Sequence, residues 1–128
     1  MRLLLDTNRL TDVLEGDDVL AHLIESAAEV WIPFVALAEI KAGFLGGNRR
    51  TKNEASLEFL MRISGVEALF ADRETTEVYA RLFYSMRRAG TPIPTNDLWI
   101  AAQCLEHGFG LVTLDRHFEA IDGLRLLP

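Results

Sequence analysis

Short apolar runs and segments with helical spacing alternate along the whole chain of 128 residues. Apolar or β-branched runs predict five short strands, at 2–5, 30–32, 66–70, 111–114 and 124–127. Between them, apolar residues recur every three or four positions, which predicts six helices, near 10–14, 18–27, 34–45, 48–64, 72–89 and 95–108. This alternation predicts an α/β fold in which a central parallel sheet of about five strands is covered by helices on both faces.

Polar and glycine positions mark where these elements begin and end. Asp17 or Asp18 is predicted to cap the second helix, and Thr95 or Asn96 the last one, because their short side chains accept hydrogen bonds from free helical N–H groups. The helix over 34–45 is apolar on most sides, so we expect it to be well buried. No repeat or long linker divides the chain, which predicts one domain over residues 1–128.

Four acidic residues are placed where a ligand site would form. Asp6 directly follows the first predicted strand, and Asp115 directly follows the fourth. Asp97 lies in the first turn of the helix before the fourth strand, and Glu39 lies within the apolar helix 34–45. In open α/β sheets, ligands bind beyond the carboxyl ends of the strands, so we expect these carboxylates to meet there. Each one alone is equally consistent with a helix cap, a turn or an exposed helical position.

Carboxylates that lie close together repel one another, and a divalent cation removes that conflict. Mg²⁺ and Mn²⁺ prefer oxygen ligands and can activate water near a phosphoryl group. A zinc site of the cysteine and histidine type is not predicted, since the chain has one cysteine and three scattered histidines. His117 follows Asp115 by two residues, and we expect its ring to pack beside Phe118 rather than to contact a ligand.

Composition sets limits on the class of protein. The chain is 49% hydrophobic and 25% charged, which is ordinary for a folded domain, and its net charge is −6. That charge argues against binding of nucleic acid by the whole surface, but not against a nuclease with an acidic cleft. With a single cysteine and no signal peptide or membrane-length apolar run, we expect a cytoplasmic protein with no membrane contact.

Four local motifs together resemble the PIN-domain ribonucleases, and within them the VapC toxins of bacterial toxin–antitoxin pairs. The motifs are LLDTN at 4–8, AEIKAG at 38–43, IPTNDLWIAA at 93–102 and VTLDRHF at 112–118. The resemblance implies an endoribonuclease that depends on Mg²⁺ or Mn²⁺ and cleaves RNA by metal-activated water to leave 3′-hydroxyl and 5′-phosphate ends. It also implies a VapB-like antitoxin partner and a homodimer.

By the same resemblance, Asp6, Glu39, Asp97 and Asp115 form the acidic quartet, and Asp6 and Asp97 contact the metal most directly. Asn8 and Thr113 match positions that orient the carboxylates or water, although Asn8 is also suited to cap the first helix. Arg9 departs from the apolar residue often found there and is predicted either to meet a phosphate or to pair with Asp12.

Basic residues concentrate away from the acids. They form two groups that could hold an RNA backbone, Arg49, Arg50 and Lys52 in one, and Arg87 and Arg88 in the other. Solvated helix faces explain these groups at least as well, and they could equally meet an acidic antitoxin tail.

Other α/β proteins with early acidic residues fit less well. A receiver domain needs a lysine after the fifth strand, and the only lysines are Lys41 and Lys52. A nucleotide-binding module needs a glycine-rich loop after the first strand, where this chain has Thr7, Asn8 and Arg9. A PIN-like protein that binds a partner without catalysis stays open as the alternative function.

Overall fold

The computed structural model of the chain describes every residue from Met1 to Pro128. The strands are β1 (Arg2–Leu5), β2 (Glu29–Pro33), β3 (Val66–Leu69), β4 (Gly110–Val112) and β5 (Arg125–Leu127). The helices are α1 (Thr7–Leu14), α2 (Asp18–Ser26), α3 (Phe34–Gly46), α4 (Arg50–Met61), α5 (Arg73–Ala89) and α6 (Thr95–His107), and a short 3-10 helix, η1, spans Arg116–Ala120. The predicted α/β order is therefore confirmed.

All five strands run parallel in one sheet, in the order β3-β2-β1-β4-β5. The chain builds the sheet outward from β1 to β2 and β3, and then returns to add β4 and β5 on the other side of β1. The strand order thus reverses between β1 and β4, and parallel sheets open a crevice at the carboxyl end of such a point. The fold places any ligand site just beyond Leu5 and Val112.

Helices cover both faces of the sheet, as the pattern predicts. Successive side chains of a strand point to opposite faces, so Leu3 and Leu5 pack on one side of β1 while Leu4 packs on the other. The first side carries residues from α1, α2, α3 and α4, and the second carries residues from α5, α6 and η1 together with Val35 from the start of α3. Buried apolar strands between two helical layers give the sheet its stability.

Several predicted element ends differ from the structure by one to three residues, and two predictions near the pocket are wrong. Strand β4 stops at Val112, so Asp115 lies three residues beyond it rather than directly after it. Helix α6 is preceded by Pro94, and no side chain caps it, so neither Thr95 nor Asn96 does so. At the second helix the prediction is confirmed, because the Asp17 side chain accepts a hydrogen bond from the Leu20 N–H at 3.0 Å.

Helix α3 is less buried than its apolar sequence predicts. Val35, Ala36, Ile40 and Phe44 face the core, but Leu45 is 64% exposed and Glu39 is also exposed. The helix packs against the sheet along one side only, because α4 and α1 leave its outer face uncovered. None of the helices in the protein combines the length and the hydrophobicity needed to cross a lipid bilayer.

Candidate active site

A polar pocket of about 390 Å³ opens at the crevice between β1 and β4. Its walls come from the start of α1, the middle of α3, the first turn of α6 and the segment after β4. All four predicted acids line it, and so does Asn8; the full lining is Asp6, Thr7, Asn8, Glu39, Pro94, Thr95, Asn96, Asp97, Asp115 and His117. Residues that are far apart in sequence thus meet where the parallel strands end.

Asp6 is the most buried acid of the pocket, with 4% of its surface exposed. Its Oδ1 accepts the Thr7 N–H at 2.7 Å, so Asp6, and not Asn8, caps α1. Its Oδ2 accepts the hydroxyl of Thr113 at 2.7 Å. The same hydroxyl oxygen accepts the Asp115 N–H at 2.9 Å. Thr113 therefore fixes both Asp6 and the backbone that carries Asp115.

Glu39 reaches the pocket from α3 and is held by one contact. The hydroxyl of Thr7 donates to Glu39 Oε1 at 3.2 Å. Although its neighbours in the sequence are apolar, Glu39 is exposed, so its carboxylate needs no buried partner. It adds a negative charge to the pocket opening at little desolvation cost.

Asp97 and Asp115 face each other across the imidazole of His117. His117 Nδ1 lies 3.2 Å from Asp115 Oδ1 and 3.5 Å from Asp97 Oδ2. The backbone N–H of His117 also donates to Asp115 Oδ1 at 2.8 Å, since Asp115 caps η1. The expected packing of the ring beside Phe118 is wrong: the 3-10 turn buries Phe118 completely and points the half-exposed imidazole into the pocket.

The electrostatics of the pocket favour neutralisation of its carboxylates. Burial raises the pKa of Asp6, and the charge of Asp115 raises it further, against the opposing effect of the hydrogen bonds from Thr113 and Thr7. Burial likewise raises the pKa of Asp97, and the charges of Asp6 and Asp115 add to the effect, against the opposing effect of the contact with His117. No lysine or arginine lines the pocket. Burial and mutual repulsion make it costly for these clustered carboxylates to be ionised together. A divalent cation offsets that cost, so the pocket is suited to bind one.

The raised pKa of Asp97 predicts how the stability of the cation-free protein depends on pH. A carboxyl whose folded pKa exceeds its unfolded value binds its proton more tightly in the folded state, so stability rises as pH falls through that range. At pH 7, without cations, we expect Asp97→Asn to be more stable than the parent, because the amide carries no charge that burial and the neighbouring acids oppose. Chemical denaturation at several pH values measures this difference.

The difference should shrink as pH falls from 7 toward 4, because the parent carboxyl then takes up its proton. Glu58→Gln, at an exposed position on α4, is the matched control and should stay close to the parent throughout. An Asp97→Asn variant that is less stable than the parent at pH 7 would contradict this account of the electrostatics.

The predicted basic residues lie outside the pocket. Arg9 is buried on α1 and pairs with Asp12 at 2.9 Å, which is one of the two roles left open for it. Arg49, Arg50 and Lys52 lie exposed around the start of α4, where Arg50 pairs with Glu54 at 2.9 Å. The last turn of α5 carries the other basic group, Arg87 and Arg88, and both are exposed.

Five residues that line the pocket were missed as site residues from the sequence, and two of them, Thr7 and His117, contact its acids. Thr7 connects α1 to Glu39, and its position directly after Asp6 is the signal that could have found it. His117 contacts two of the acids, and its position two residues after Asp115 is the signal that could have found it.

The chain matches the model of the PIN domain over residues 3–124. It is 32% identical over 89 residues to Ribonuclease VapC5 of Mycobacterium tuberculosis, a match that covers 70% of this chain and 66% of that protein. It is 27% identical to Ribonuclease VapC1 of Rickettsia felis, over 99% of this chain and 96% of that one.

Among solved structures, the fold is similar to a crystal structure of VapBC2 from Rickettsia felis bound to a DNA fragment from their promoter. The TM-score is 0.90 at 25% sequence identity, and the match covers 99% of this chain and 98% of that chain. The family match runs through every strand but the last and includes all four acids of the pocket. This chain belongs to the PIN-domain family.

Proposed function

We propose that this chain is a metal-dependent endoribonuclease and the toxin of a toxin–antitoxin pair. The observation that carries the proposal is the convergence of Asp6, Glu39, Asp97 and Asp115 on one polar pocket at the β1/β4 crevice. The similarity of this chain to two proteins named Ribonuclease VapC supports RNA as the substrate.

The four carboxylates would hold Mg²⁺ or Mn²⁺, with Asp6 and Asp97 as the most direct ligands. When bound, such a cation supplies a Lewis acid that polarises a phosphoryl oxygen and lowers the pKa of water. Thr113 holds Asp6 through its hydroxyl, and Asn8 at the pocket wall is placed to orient water or a carboxylate. Cleavage by water in line with the scissile bond would leave 3′-hydroxyl and 5′-phosphate ends.

The basic residues would contact the phosphates on either side of the cleavage site. We propose this role for the exposed groups at the start of α4 and the end of α5, namely Arg49, Arg50, Lys52, Arg87 and Arg88. Arg9 is the least suited of the proposed set, because it is buried and already pairs with Asp12.

A VapB-like antitoxin is the proposed protein partner, in keeping with the similarity to VapBC2. Homodimerisation is also proposed, and the exposed aromatics Phe83 and Tyr84 on α5 offer a face for it. We place the protein in the cytoplasm, where RNA is available and where its single free cysteine, Cys104, stays reduced.

The activity is tested with purified, antitoxin-free protein and a panel of structured RNAs. We expect cleavage with Mg²⁺ or Mn²⁺, none with excess chelator, and recovery when the cation is restored. Sequencing of the product ends checks for 3′-hydroxyl and 5′-phosphate groups. If no RNA is cut under any of these conditions, the non-catalytic binding module becomes the better account.

Thr113→Val tests the role of the hydroxyl that holds Asp6. Valine has the same shape but cannot donate to Asp6 Oδ2 or accept the Asp115 N–H. We expect cleavage and cation affinity to fall about 10–100-fold, the usual effect of removing a hydrogen-bonding partner of a metal ligand. Thr113→Ser keeps the hydroxyl and should retain most of both, so equal losses in the two variants would contradict this role.

A further inference from the structure

We propose that His117 supplies a nitrogen ligand to the divalent cation of this pocket, which makes the site prefer first-row transition ions such as Mn²⁺ over Mg²⁺. The inference rests on the proposed function, since it takes the acidic pocket to hold a divalent cation. It concerns a residue that the four-acid interpretation does not include.

The spacing of the ligand atoms supports it. One atom each from Asp97, Asp115 and His117 lie within 4.8 Å of one another. Bonds of about 2.0–2.2 Å to one octahedral ion place neighbouring ligands about 3 Å apart and opposite ligands about 4.3 Å apart. The separations of His117 Nδ1 from Asp115 Oδ1 (3.2 Å) and Asp97 Oδ2 (3.5 Å) fit neighbouring ligands. The longer one is poor for a hydrogen bond, whose usual length is about 2.9 Å.

The backbone of η1 directs the imidazole into the pocket. Asp115 caps this short helix by accepting the backbone N–H of His117 at 2.8 Å, and the buried Phe118 anchors the next position in the core. More than half of the imidazole is exposed, so apolar packing does not explain its position. Its polar contacts are the two carboxylates.

The chemistry of the donor predicts the preference. Mg²⁺ binds oxygen ligands and retains its waters, whereas imidazole nitrogen suits Fe²⁺, Ni²⁺, Cu²⁺ and Zn²⁺ best. Mn²⁺ also favours oxygen ligands, but as a transition ion it accepts one nitrogen among them more readily than Mg²⁺ does. A site made of carboxylates alone would distinguish Mg²⁺ from Mn²⁺ weakly. The added nitrogen of His117 therefore raises the affinity for Mn²⁺ more than the affinity for Mg²⁺.

Pulsed electron paramagnetic resonance of Mn²⁺ bound to the full chain tests this directly, because a coordinated nitrogen couples to the electron spin. We expect ¹⁴N coupling in the parent and its loss in His117→Gln. His22→Gln is the matched control, since His22 lies exposed on α2 and pairs only with Glu25. In competition titrations, the ratio of Mn²⁺ to Mg²⁺ affinity should fall about tenfold in His117→Gln and stay unchanged in the control.

The parent spectrum decides the matter even if a variant fails to fold. Bound Mn²⁺ without ¹⁴N coupling in the parent overturns the role of His117 and leaves the proposed ribonuclease intact. The role of His117 is likewise overturned if His117→Gln keeps the ¹⁴N coupling, or if its ratio of Mn²⁺ to Mg²⁺ affinity equals that of the parent. A parent that binds neither cation and cuts no RNA overturns the proposed function itself, and the role of His117 with it.

Discussion

Asp97→Asn is expected to abolish RNA cleavage while leaving the protein folded. Asp97 lies in the first turn of α6, and its carboxylate faces Asp115 and His117 across the pocket. An amide keeps the shape but removes the charge that binds a cation. Since a bound cation contributes several kcal/mol to stabilising the charge that develops at phosphorus, we expect cleavage to fall by about a thousandfold or more.

Cation affinity should fall together with activity in this variant. Isothermal titration with Mn²⁺ measures the first, and initial rates on a single defined RNA measure the second. Glu58→Gln removes the same charge from an exposed position outside the pocket and should behave as the parent does. Activity within a few fold of the parent in Asp97→Asn would remove Asp97 from the proposed site.

Phe118→Ala should cause the largest loss of stability. Phe118 is fully buried in η1 and packs in the cluster that includes Leu111 and Ile100. Truncation of a buried phenylalanine costs about 3–5 kcal/mol, because apolar contacts are lost and a cavity remains. Against a typical total of about 5–15 kcal/mol, this is a large fraction. We expect the melting temperature to fall by about 10–20 °C.

The same change should weaken the pocket, because Asp115 caps η1 and His117 directly precedes Phe118 in this helix. Phe70→Ala is the control: Phe70 is 69% exposed just after β3, and its removal should change stability by less than about 1 kcal/mol. Thermal unfolding followed by circular dichroism checks both. A Phe118→Ala melting temperature close to that of Phe70→Ala would show that η1 is not anchored as described.

Much of the fold was predictable because its local patterns agree with its tertiary structure. The run Leu3-Leu4-Leu5 is apolar on both sides, and the structure buries it between two helical layers. A strand of this kind indicates a parallel sheet, and a parallel sheet gathers the residues after its strands at one edge. For that reason Asp6 and Asp115 could be brought together without knowledge of the strand order.

The sequence was a poorer guide wherever a side chain's surroundings depend on a distant element. Glu39 lies among apolar residues, but the outer face of α3 has no partner, so it is exposed. The ring of His117 points into the pocket because a 3-10 turn follows β4, and the spacing of apolar residues gives little sign of so short a helix. Pro94 precedes α6 without any side-chain cap, although Thr95 and Asn96 have the usual capping residue types.

The charge of −6 is consistent with this arrangement. If the four acids of the pocket are set aside, 15 acidic residues face 13 basic ones, so the rest of the surface is close to balanced. An RNA would therefore approach a nearly neutral protein whose excess negative charge lies where a cation is proposed to bind.

The most direct test of the central claim is to follow cation occupancy and RNA cleavage in the same samples. Metal-free protein is titrated with Mn²⁺, and the bound cation and the initial rate on one defined RNA are measured at each step. We predict that the rate rises from zero in proportion to occupancy in the parent and that Asp97→Asn shows neither. Cleavage by the metal-free parent in excess chelator, at the rate of the saturated enzyme, would contradict the account.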